Sequence, residues 1–188
     1  MTISVLTLDD ARSASLTKGQ VYAQVGAGQL ERVGRGVYVD PAAIDLALMS
    51  LAGATARQAS ATMCLTSALV FHGLSDAIPL ATDIALPRGA RHPSGFKYVN
   101  WHSFDATTFD VGRIGLQTIG GIELFVYSPE RSIIDCFRLS YREGTDQANL
   151  ALRRWLRDQH GVPSRLLQMA RSFPRVSGRI RETLEVLL

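Results

Sequence analysis

Apolar positions in the first forty residues fall into two short patterns. In residues 16–28, LTKGQVYAQVGAG, Val21 and Val25 lie four apart and so share one side of a helix. Thr17 is placed to cap that helix and Gly28 to stop it. The opposite side carries Gly19, Gln20, Ala23 and Ala27, with Tyr22 and Gln24 on the flanks. Leu30, Val33, Val37 and Val39 then supply the apolar residues of two short strands, and Gly34, Arg35 and Gly36 permit a tight turn with Arg32 and Arg35 near its tip. Upstream, residues 8–15, LDDARSAS, fit a short supporting helix. Residues 1–7 leave no room for a further helix, so that helix is missing or replaced by a short strand. Helix, helix and basic hairpin in this order are the sequence form of a winged helix-turn-helix over residues 1–40, shortened at its start.

Residues 41–60 are rich in Ala and Leu and end in GATARQAS, which predicts a connecting helix and a linker. Residues 63–72 predict a helix stopped by Gly73. Strands are expected over 82–86, 96–102 and 123–127, with turns at 87–95 and at Gly120–Gly121. After Pro129 the period becomes helical, in four stripes: Ile133, Ile134 and Phe137; Leu150, Leu152, Trp155 and Leu156; Leu166, Leu167 and Ala170; Ile180, Leu184 and Leu187. Pro129 and Pro163 suit the first turns of their helices, and Ser177 with Gly178 is expected to precede the last. The fold class is α+β: a small N-terminal winged helix, then a mixed α/β domain over 61–188 that ends in a helical bundle.

The chain has 188 residues, 46% of them hydrophobic, enough for one good core and a small satellite domain. No apolar run reaches membrane-spanning length, and the start MTISVLTLDD lacks the order of a signal peptide, so a cytoplasmic protein is expected. Cys64 and Cys136 sit in apolar surroundings, as buried reduced thiols do. His72, His92, His102 and His160 show no ligand spacing, and neither a metal nor a cofactor is expected.

The net charge of +3 is unevenly placed. Residues 1–40 carry four basic and four acidic groups, 41–130 five and seven, and 131–188 eleven and six. All eleven basic groups of the last zone are Arg, Arg153, Arg154 and Arg157 among them. They fit a solvated helix face, a nucleic-acid surface or a surface for an acidic partner. The loop bearing Arg88, Arg91, His92 and Lys97 fits a hold on nucleic-acid backbone or plain solvation. Glu130, Arg131 and Asp135 suit a helix start in which Arg131 pairs with Asp135 four residues on. Ser67 and His72 diverge by about 140° on one helix, wrong for a nucleophile and its base. No lysine follows Glu123 at nuclease spacing, and neither a phosphate-binding GxxxxGK[ST] loop nor a kinase motif set is present, so no enzymatic activity is expected.

The opening helix and hairpin ending in RGVY, then TSALVFHGL, then DIALPRGAR, then GGIELFVYSPERSIIDCFRL, occur in that order. The set resembles the AbiEi antitoxins of type IV toxin-antitoxin systems, over residues 16 to 188. The resemblance implies a winged helix that binds inverted repeats in its own promoter and represses the operon. It also implies a C-terminal antitoxin domain that counteracts a cognate nucleotidyltransferase-fold toxin, directly or indirectly. By that resemblance Thr17, Lys18, Gln20, Tyr22 and Gln24 match the recognition helix, and Arg32 and Arg35 the wing. Arg88 and Arg91 match the basic loop, and a homodimer on DNA is one arrangement it allows. The other reading is a winged-helix regulator whose C-terminal domain senses a ligand or dimerises, without a toxin partner.

Overall fold

A computed structural model describes residues 4–117, 122–140 and 145–188. The chain opens with β1 (Val5–Thr7), α1 (Leu8–Ser13), α2 (Lys18–Gly26), β2 (Glu31–Gly34) and β3 (Val37–Val39). The strands form an antiparallel sheet in the order β1-β3-β2. A short strand, β1, thus precedes α1.

Each helix starts where the sequence provides a cap. Thr7 and Asp10 satisfy one another's backbone N–H groups at α1, and Thr17 and Gln20 do the same at α2. The hairpin turns through Arg35 and Gly36, and Gly36 adopts φ +66°, a conformation that favours glycine. Leu6, Ala11, Val21, Leu30 and Tyr38 close a small core between α1, α2 and one face of this sheet.

The other face is covered by α3 (Met49–Thr55), preceded by a single 3-10 turn at Leu46–Leu48. Helix α3 lies within residues 41–60. It is buried on two sides: Leu51, Ala52 and Ala54 are wholly inaccessible, and they share one core with Val39 of the small sheet and with Met63, Ile84, Leu86, Leu124 and Val126 of a second sheet.

That second sheet comprises β4 (Thr62–Met63), β5 (Thr82–Pro87), β6 (Val99–Phe104), β7 (Arg113–Gln117) and β8 (Glu123–Tyr127), in the order β6-β5-β4-β8-β7. It is mixed: β4–β8 and β5–β6 are parallel, while β4–β5 and β7–β8 are antiparallel. Alternation along β5 assigns its two faces, since Ile84 and Leu86 join the core around α3 and Ala85 joins the opposite one. The opposite core is filled by α4 (Leu65–Phe71), α5 (Pro129–Arg138), α6 (Thr145–Asp158), α7 (Pro163–Ala170) and α8 (Pro174–Leu187). The described residues thus hold eight α-helices and two sheets, a mixed α+β fold.

Some boundaries differ from expectation. Thr62 and Met63 pair as a central strand, so α4 begins at Leu65 and not at Met63. Strand β7 was not expected, because Arg113, Gly115 and Gln117 make a polar edge that pairs only with β8. Helix α8 starts at Pro174, so Ser177 and Gly178 lie inside it. The turn at Gly120–Gly121 lies outside the described residues. Cys64 and Cys136 are both buried, as expected.

The Arg131–Asp135 pair proves structural. Arg131 is wholly buried, donates from Nε to Asp135 at 2.8 Å and from Nη1 to the carbonyls of Thr108 and Val111. Its guanidinium also stands 4.2 Å from the Tyr127 ring centre and 4.6 Å from that of Phe173, which offers π-electron density to Nη2, an atom without a hydrogen-bond partner among the described residues. Arg138 completes the network on the other oxygen of Asp135.

Two outcomes follow from this packing. A Cβ on Gly53 of α3 would overlap Cγ2 of Val33, a stiff side chain on β2. Gly→Ala in a helix ordinarily stabilises by roughly 0.5–1 kcal/mol. Gly53→Ala should instead cost about 1–3 kcal/mol of overpacking in urea denaturation, and a gain in stability would show that α3 does not press on the small sheet. His72 donates from Nε2 to the Tyr127 carbonyl at 2.8 Å, and burial holds its pKa below the usual 6.5. Below pH 6.5 the unfolded chain therefore binds more protons at this site, so stability falls as the pH drops from there through the folded-state pKa. Replacement by Gln should remove that part of the acid dependence, seen as a flatter unfolding free energy between pH 7 and 5; an unchanged slope would contradict it.

Candidate nucleic-acid interface

Helix α2 turns Val21 into the small core and leaves Lys18, Gly19, Gln20, Tyr22 and Ala23 exposed, with Gln24 half-buried. Not all of these groups are equally available. Thr17 donates its backbone N–H and its hydroxyl to Oε1 of Gln20, at 2.8 and 3.0 Å, so both residues spend hydrogen-bonding capacity on starting the helix. Tyr22 is 57% exposed, and it lies close enough to Tyr38 to influence its titration. Burial raises the Tyr38 pKa, with Tyr22 adding to the effect and Arg32 opposing it. Arg32 stands opposite Tyr38 across the β2–β3 ladder and donates from Nε to the Gly34 carbonyl at 3.3 Å. The helix and the hairpin therefore meet at a Tyr22–Tyr38–Arg32 group.

Arg35 has a different place from Arg32. The hairpin tip does not stand free but rests on the loop that follows β5. A Cβ on Gly34 would come within 2.7 Å of the Phe96 ring, and one on Gly95 within 2.6 Å of the Arg35 Cβ, so the two backbones approach as closely as glycine allows. Arg57, just beyond α3, fastens the tip by donating from Nη2 to the carbonyls of Arg35 (3.4 Å) and Gly36 (3.1 Å). Its neighbour Gln58 donates to the Arg91 carbonyl at 3.2 Å. A cleft of about 440 Å³ results, lined by Arg35, Arg57, Gln58, Arg91 and His92. His92 stacks on Trp101 at 5.9 Å between ring centres and contacts the Ser103 hydroxyl at 3.0 Å.

The structure thus joins Arg35 and Arg91, which the sequence offers as separate surfaces, and adds Arg57, which sequence reasoning missed. Arg88 and Lys97 do not line the cleft; Arg88 lies 3.8 Å from Asp105, and Lys97 is exposed. Nor do Arg153, Arg154 and Arg157 present three open charges. Arg154 pairs with Asp76, Arg157 binds Asp158 at 2.6 Å, and Arg153 lines a separate groove with Glu182. The Asp76 carboxyl is held below the usual range by its hydrogen bond from Arg154.

A second recess lies in the larger sheet, also unseen in the sequence. Asp83 on β5 accepts from His102 Nε2 at 2.9 Å, from Asn100 at 3.3 Å and from the Ser67 hydroxyl at 3.3 Å. Two cavities, of about 480 and 730 Å³, meet beside these groups at Pro79, Leu80 and Ala81. Ser67 comes from α4 and His102 from β6, so no sequence spacing announces the group. Among the described residues, no three His, Cys, Asp or Glu side chains form a metal-binding group, and no helix is long and apolar enough to cross a membrane. No protein-family model matches the chain, and no curated protein matches it.

Proposed function

We propose that this chain is a DNA-binding antitoxin of the AbiEi kind, which represses its own operon through inverted repeats and counteracts a cognate nucleotidyltransferase-fold toxin. The observation that carries the DNA half is the N-terminal order strand, helix, helix, hairpin with the sheet arranged β1-β3-β2, which supports reading it as a winged helix-turn-helix. In that arrangement α2 is the recognition helix. Its nine residues make a rod about 14 Å long, suited to a major groove about 12 Å wide. The small exposed residues Gly19 and Ala23 let it approach the base edges, Lys18 and Tyr22 supply polar contacts, and Arg32 reaches the neighbouring phosphate or minor groove. The toxin-directed half rests on the ordered motifs of the sequence. A second reading, a ligand-sensing winged-helix regulator, is supported by the cavities beside Asp83 and His102.

Mobility shift on the DNA upstream of the gene tests the first half. Arg32→Ala should weaken binding by about 1–3 kcal/mol and lower the salt slope by about one. Unchanged affinity in the Tyr22→Ala, Arg32→Ala double variant would sink the assignment of α2 and the hairpin. Growth after induction of the adjacent gene tests the second half: this chain should restore it, and failure to do so would favour the regulator.

A further inference from the structure

We propose that the cleft between the hairpin tip and the 91–94 loop is a phosphoryl-binding site, in which the guanidinium groups of Arg35, Arg57 and Arg91 hold one phosphate. Its source is either the backbone of duplex DNA, which would deepen the DNA reading above and rests on it, or a free phosphate compound, which would not.

Three arginines line this cleft from distant parts of the chain: the β2–β3 turn, the residues after α3, and the loop after β5. Like charges so gathered repel unless an anion joins them. Within the described residues, no carboxylate lies within 4.0 Å of any of the three guanidiniums. Among the described residues Asp10 feels Arg57 at longer range, and its Oδ2 accepts from the Thr7 backbone N–H at 3.0 Å and hydroxyl at 2.6 Å. The fold thus lines the cleft with arginines that have no direct carboxylate partner among the described residues, which leaves them open to an anionic ligand.

Shape selects the anion. A planar carboxylate offers two oxygens to one fork, whereas a tetrahedral phosphoryl group offers oxygens in several directions and can be approached by more than one guanidinium. At about 440 Å³ the cleft has room for a phosphate and the sugar attached to it. Arg57 holds the tip carbonyls through Nη2 alone, so its remaining donors are available to face the cleft. Arg91 contributes only its backbone carbonyl to the hydrogen bond with Gln58, so its side chain is not needed to build the wall.

The test uses the full chain with two probes, a short duplex of random sequence and inorganic phosphate, and three variants: Arg91→Gln, Arg57→Gln with Arg91→Gln, and Arg88→Gln as a control of equal charge outside the cleft. Melting temperature without ligand reports whether Arg57→Gln loosens the tip; Arg91→Gln keeps the test decisive if it does. If DNA is the source, the salt slope of duplex binding falls by about one in Arg91→Gln and about two in the double variant, with Arg88→Gln unchanged. If wild type ignores the duplex while phosphate raises its melting temperature and not that of Arg91→Gln, the site stands with a free phosphate compound as ligand, and the DNA reading fails. Duplex binding unaltered in Arg91→Gln, without a phosphate effect, overturns the site and leaves the DNA reading on α2. Loss of binding in Arg88→Gln equal to that in Arg91→Gln reduces the cleft to general charge and overturns it too. Absence of response to both probes overturns both.

Discussion

The structure depends on one helix packed from two sides. Residues Ala52, Gly53 and Ala54 of α3 are small enough for two sheets to close on it, with Val33 and Val37 within reach of Gly53 on one side and Met63, Ile84 and Leu124 in the same core on the other. Because this core excludes water continuously between the sheets, neither can move away without exposing apolar surface. A seven-residue helix would be marginal by itself, so its order comes from this packing.

The position of the hairpin follows from that wedge. Arg57 leaves the end of α3 close enough to hold the tip carbonyls, and Phe96 and Gly95, on the loop after β5, receive the tip from the other side. A hairpin in isolation would be a flexible two-strand ribbon. Here it is fixed relative to the loop carrying Arg91 and His92, so charges from three segments share one cleft while Arg32 stays with Tyr22 and Tyr38 at the helix. Fixed geometry spares a ligand the cost of ordering the loop.

What the sequence made legible was local. Thr17 at the start of α2, Gly36 in the turn, Gly73 after α4, and Pro129 and Pro163 at first turns all act through neighbours a few residues away, and each stands where its chemistry requires. The misses were non-local. Thr62 and Met63 form a strand only because β5 and β8 flank them, and the polar residues of β7 give no apolar alternation. Pro174 opens α8 ahead of the Ser177–Gly178 pair because a proline at the first helical position outweighs a weak internal glycine once Val176 and Ile180 are buried. Arg57 in a polar stretch, and Asp83 with His102, acquire meaning only when the sheets assemble. Of the candidate site, the exposed side of α2 was readable beforehand, whereas the junction of Arg35 with Arg91 was not.

Hydrogen exchange at single-residue resolution tests the central claim most directly. If α3 unites the two sheets, the slowest amides of α3 and β3 should open with the same free energy as those of β5 and β8, and all should shift together with added denaturant. Opening of β1–β3 at distinctly lower free energy, with β5 and β8 still protected, would show two parts that merely touch and would contradict the account.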